Sequence, residues 1–123
     1  MLFRSLPLAD TRFNRMKSDL KWVEASGHGL VSIASPVVYG ASIRYGETGL
    51  IAATAEEFSM CLRAVVADPA RARAMALAAR AEVAATRLLA QQVTRRRAWY
   101  DSLWDRRAEL DAALLERVPA LRD

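Results

Sequence analysis

The run Leu30 to Ala34, LVSIA, most narrows what this chain can fold into. It carries no charge, is β-prone, and lies between Gly29 and the pair Ser35 and Pro36, so it reads as a buried strand. An uncharged, mostly apolar strand of this kind belongs in a parallel sheet covered by helices.

The neighbouring segments agree with that setting. Leu2 to Leu8 is a short apolar stretch that turns at Pro7, which predicts a strand. From Phe13 to Gly27, Met16, Leu20 and Val23 fall at helical spacing, with Ser18 and Asp19 as an internal helix start and Gly27 as a stop. A loop and short helix through Ile43 lead to a turn bracketed by Gly46 and Gly49, then to a third apolar run, Leu50 to Ala52. The order is strand, helix, strand, turn, strand, an α/β pattern. Thr54 or Ala55, ahead of Glu56 and Glu57, opens a helix that ends at Asp68 and Pro69, and Pro69 opens the next. After Thr86 the chain reads as helical to about Arg117, with Leu89, Val93, Tyr100, Leu103, Leu110 and Leu114 as its expected buried side. The expectation is one partial Rossmann-like α/β domain over 1–123, with an α/β segment at 1–53 and C-terminal helices over 54–123.

Composition removes several function classes. At 123 residues, with 53% hydrophobic and 26% charged residues, the chain fits one folded domain and excludes two complete ones. Charges interrupt every apolar run before it could span a membrane, and Met1 to Ala9 lacks the features of a cleaved signal, so a cytoplasmic protein is expected. One cysteine, Cys61, and one histidine, His28, supply neither a disulfide nor a set of soft ligands, so no metal and no cofactor is expected. A net charge of +4 suits an anionic partner without choosing among nucleotides, membranes and nucleic acid.

The segment from Phe13 to Gly49 holds the chemistry. Lys17, Ser18 and Lys21 cluster where a helix begins ahead of a buried strand, and helix starts bind phosphate through free N–H groups and the helix dipole. Glu24 lies three residues beyond Lys21, where its carboxylate could accept both hydroxyls of a ribose. The competing reading makes Lys21 and Glu24 a surface ion pair and Ser18 a simple cap. Glu47 and Thr48 either border a binding site or form a plain turn between glycines. Tyr39 and Tyr45 flank a pocket or fill the sheet edge, and Cys61 reads as packing.

In order, KSDLKWVEA, GHGLVSIASP, IRYGETGLIA and a helix ending in Asp68 and Pro69 resemble the C-terminal domain of retaining glycosyltransferases of the GT-B fold, over roughly Asp10 to Leu103. That resemblance implies a Rossmann-like domain that binds a nucleotide-diphosphate sugar. It also implies that the first strands and an N-terminal acceptor domain lie upstream of Met1, this chain being a fragment, a remnant or one half of a split enzyme. By the same resemblance, Glu24 matches the ribose-binding glutamate, Ser18 and its neighbours match the region near the phosphates and donor sugar, and Glu47 and Thr48 match a turn bordering the donor site. The family often has a second glutamate eight positions earlier, where this chain has Met16. The implied activity is glycosyl transfer to an acceptor such as a surface polysaccharide, with no turnover expected of this chain alone.

The last helical stretch sets arginines Arg87, Arg95, Arg96, Arg97, Arg106 and Arg107 beside Trp99, Tyr100 and Trp104. Glu82, Asp101, Asp105, Glu109 and Asp111 interleave with them, which favours a solvated face over a membrane-surface or nucleic-acid site. An apolar stripe including Trp99, Leu103 or Trp104 is expected to stay exposed and to support self-association, or to dock a partner if the chain is a non-catalytic module.

Overall fold

The computed structural model describes residues 3–122. Met1 and Leu2, the first residues of the expected N-terminal strand, lie outside them. The chain divides into two compact units, one up to Arg87 and one from Leu88 onward.

The first unit is α/β. Strands β1 (Phe3–Leu6), β2 (Val31–Ala34) and β3 (Leu50–Ile51) form a parallel sheet in that order, with Leu6 paired to Ala34 and Ala34 to Ile51. Between β1 and β2 run a short helix α1 (Arg12–Arg15) and the helix α2 (Leu20–Gly27). After β3 come α3 (Ala55–Ala67) and α4 (Pro69–Thr86). All four residues of β2 are buried, as a parallel strand with cover on both faces must be.

Pleating divides β2 between two apolar clusters. Val31 and Ile33 pack with Cys61 and Val65 of α3 and with Ala72, Met75 and Ala76 of α4. Ala34 packs on the other side with Trp22 of α2, Tyr39, Ile43, and Ala79 and Val83 of α4. Helix α4 thus serves both clusters from one stripe, at positions 72, 75, 76, 79 and 83, the i, i+3, i+4 repeat of a single helical face. Alanine at three of these five positions lets α4 approach closely.

The helix starts follow their capping chemistry. The Thr54 hydroxyl accepts the Glu57 N–H at 3.1 Å, and the Glu57 carboxylate accepts the Ala53 N–H at 2.6 Å. The Asp68 side chain accepts the Arg71 N–H at 2.9 Å, with Pro69 in the first turn of α4. Within Phe13–Gly27 the regular helix starts beside the internal start expected at Ser18 and Asp19, with Asp19 in the capping position. Thr11 caps α1, and the Asn14 amide donates back to the Ala9 carbonyl, so the chain turns at Met16–Asp19 before α2 begins at Leu20.

The second unit consists of α5 (Leu89–Asp105) and α6 (Arg107–Arg117), separated at Arg106, and a short 3-10 turn. It has no buried residue in either helix. This corrects the expected buried side: Leu89 is 63% exposed, Val93 57% and Tyr100 60%. The periodicity that marked them is present, but the residues that would cover the face are not supplied by the unit itself. No helix among the described residues is long and apolar enough to cross a membrane.

Candidate functional site at the carboxyl ends of the strands

In open α/β sheets, ligands sit outside the carboxyl ends of the strands. Here the loop after β1 and the loop after β2 meet, because the Ser35 hydroxyl accepts the Leu8 N–H at 3.0 Å and the Ser35 N–H donates to the Leu6 carbonyl at 3.2 Å. Between these loops lies a shallow cavity of about 340 Å³, lined by Asp10, Arg15, Pro36, Val37 and Val38. Arg15 forms a fork onto Asp10 through Nε and Nη2. Asp10 is held below the usual carboxylate range, chiefly by that hydrogen bond.

Val38 is the strained member of this rim. Its φ is 69° and ψ −50°, and the Tyr39 N–H donates to the Val37 carbonyl at 2.9 Å, a tight γ-turn that a β-branched residue rarely adopts. Glycine reaches this conformation without the steric cost of about 1–3 kcal/mol, and loses part of that gain to greater freedom in the unfolded chain. Val38→Gly is therefore expected to raise stability by about 1 kcal/mol. A lowered midpoint in thermal or urea unfolding would refute this.

The residues singled out from the sequence do not all converge. Lys17 lies with its ammonium 5.0 Å from the centre of the exposed Phe13 ring. Ser18 is exposed in the bend before α2, and the capping position belongs to Asp19. Lys21 and Glu24 form an ion pair at 3.2 Å, with both side chains at least half exposed. The exposed Glu47 pairs with Arg44 at 2.9 Å. Thr48 is 1% exposed, its hydroxyl accepts the Arg44 N–H at 2.9 Å, and its carbonyl faces Trp22 Nε1 across a long 3.5 Å contact. Trp22 and Glu24 are two residues apart, about 200° around a helix. The turn carrying Glu47 and Thr48 thus lies against one side of α2, and Glu24 projects from the other.

Asp19 was legible only as an acid near a helix start. In the fold it joins three elements: the Ser42 hydroxyl donates to one oxygen and Arg87, just past α4, donates to the other at 2.6 Å. Burial opposes its charge, but the hydrogen bonds from Arg87 and Ser42 outweigh burial and lower its pKa. No local signal could find this cluster, since its partners lie 23 and 68 residues away.

The other aromatic and sulfur candidates are now placed. Tyr39 is buried in the core, and burial raises its pKa; Tyr45 is 67% exposed. Cys61 is buried with its thiol toward the Ile51 carbonyl, and burial raises its pKa, which leaves an unreactive thiol. A larger groove of about 660 Å³ runs beside β3, floored by Leu50, Cys61 and Met75; Tyr45 lines it, while Lys17, Ser18, Lys21, Glu24, Glu47 and Thr48 do not. Against known proteins, the chain matches no family model, no curated protein and no solved structure.

Proposed function

We propose that this chain is the donor-binding part of a glycosyltransferase that moves a sugar from a nucleotide-diphosphate sugar to an acceptor such as a surface polysaccharide. The observation that carries the reading is the parallel pair β1 and β2, with a basic segment leaving the carboxyl end of β1 and leading into α2. Lys17 and Lys21 supply positive charge along that segment, and Ser18 supplies a hydroxyl, so a diphosphate leaving group would meet opposite charge there. Glu24 would accept the ribose hydroxyls.

The Lys21–Glu24 pair is no obstacle to this. An exposed pair of this kind is worth a few tenths of a kcal/mol, so a nucleotide that engages both partners separates them at little cost. Met16 leaves the donor-sugar contact to another group. Titration calorimetry with uridine, guanosine and adenosine diphosphates tests the reading. Glu24→Gln keeps the size and removes the charge, and should weaken binding about tenfold or more. Equal affinity of the variant, or no binding of the unmodified chain at millimolar nucleotide, would remove the ground for it.

A further inference from the structure

The groove beside β3 follows from where short side chains fall on α3 and α4. Glu57, Cys61 and Ala64 repeat along one face of α3, and the lining continues to Ala67, about 15 Å at the rise of a helix. Leu50, Cys61, Val65 and Met75 form a buried floor, and the alanines at 64, 67 and 72 are too short to fill the space above it. Apart from Tyr45, the apolar lining is aliphatic or sulfur-bearing. The charged residues of the lining differ in what they are bound to. The Glu57 carboxylate accepts the Ala53 N–H at 2.6 Å and the Asp68 carboxylate accepts the Arg71 N–H at 2.9 Å, so each acid is engaged at a helix start. The Arg71 guanidinium has no hydrogen bond or ion pair among the described residues. It reaches the turn after Tyr45, with Nη2 3.7 Å from the point where a Cβ on Gly46 would stand.

From this we infer that the groove binds a single-chain alkyl carboxylate of medium length, with its head at Arg71 and its chain along α3 toward Glu57. A guanidinium with unspent donors takes a carboxylate in a charge-assisted fork. Asp68 stands at the same end and repels a second negative charge, which favours a carboxylate over a phosphate monoester. The length and the aliphatic lining suit a flexible chain, and the volume of about 660 Å³ is that of a small-molecule site. A peptide segment is a poorer occupant. Its backbone groups would lie against apolar side chains, and β3, at two residues, is too short an edge to pair with them. The groove shares none of Lys17, Ser18, Lys21 and Glu24, so binding here is independent of a nucleotide.

Titration calorimetry of the full chain with hexanoate, octanoate and decanoate tests this. Affinity should rise by about two- to fourfold for each added methylene, as a chain entering an apolar groove requires. Arg71→Gln should weaken decanoate about tenfold and leave 1-decanol, which lacks the charge, unchanged. Arg73→Gln removes the same charge from an exposed position of α4 outside the groove and should change decanoate affinity by less than about twofold. Trp99→Ala with Trp104→Ala, on the exposed face of α5, should likewise leave it within about twofold. Absence of binding at millimolar decanoate, or affinity that ignores chain length, overturns the proposal. So does an equal loss in Arg71→Gln and Arg73→Gln, or a larger loss in the tryptophan variant, which would put the chain on α5. A dimer that Met60→Glu dissolves, with no decanoate binding, would assign the groove to a second copy of this chain instead.

Discussion

Trp22→Ala is expected to lower the stability of the first unit by about 3–5 kcal/mol, the cost of emptying a large aromatic site in a core that can only partly collapse. Trp22 is 1% exposed and belongs to the cluster of Leu6, Ala34, Tyr39, Ile43, Ala79 and Val83, which joins the ends of β1 and β2, the segment before β3, and α4. A loss of that size is a large part of the 5–15 kcal/mol that stabilises a typical domain. Urea unfolding followed by circular dichroism would read it as a large fall in midpoint. Trp22→Phe separates packing from hydrogen bonding. The contact to the Thr48 carbonyl is long at 3.5 Å, so the phenyl ring should recover more than half of the loss. A phenylalanine variant as unstable as the alanine variant would show that the indole N–H, and not the ring's volume, secures α2 to the Thr48 turn.

That result also bears on the candidate site, because Trp22 fixes the rotation of the helix that carries Lys21 and Glu24. The sequence makes α2 recognisable from Leu20 and Val23 at helical spacing, yet the residue that decides which side of α2 faces the core is Trp22. Burying Trp22, Ala25 and Ser26 turns Glu24 to solvent and places Thr48 on the opposite side. The expected grouping of Glu24 with Glu47 and Thr48 rested on their order along the chain, and order does not fix which faces of a helix meet.

Elements governed by neighbouring residues were legible, and those governed by distant partners were not. Val31 to Ala34 of the LVSIA run are buried on every residue, and Thr54 and Pro69 start their helices where their side-chain chemistry places them. By contrast, Ser18 looked like the cap of α2 because serine is a good cap, but Asp19 holds the position and spends its carboxylate on Ser42 and Arg87. In α5 the spacing of Leu89, Val93 and Tyr100 shows that an apolar face exists. Whether that face is covered depends on what it meets, and within its own unit it meets nothing that buries it.

The Asp19 junction should account for the second large effect, about 2–4 kcal/mol lost in Asp19→Ala. Two hydrogen bonds are removed, one charge-assisted from Arg87 and one from the Ser42 hydroxyl, and a bond to a charged group contributes about 1.5–3 kcal/mol. The Asp19 side chain is 14% exposed, so water screens the contact only in part, while Arg87, at 38%, can be rehydrated when its partner is gone. The pH dependence has a defined sign. Asp19 has a lowered pKa in the folded state, so the unfolded chain takes up its proton first as pH falls. Its contribution is therefore complete above the ordinary aspartate value of about 3.9 and is lost as pH drops through the lower folded value. Asp19→Asn should remove the charge-assisted part at neutral pH and flatten this acid limb of the stability curve. If the parent chain and Asp19→Asn lose stability in parallel between neutral pH and the acid transition, Asp19 is not held ionised by Arg87, and another carboxylate governs the acid limb.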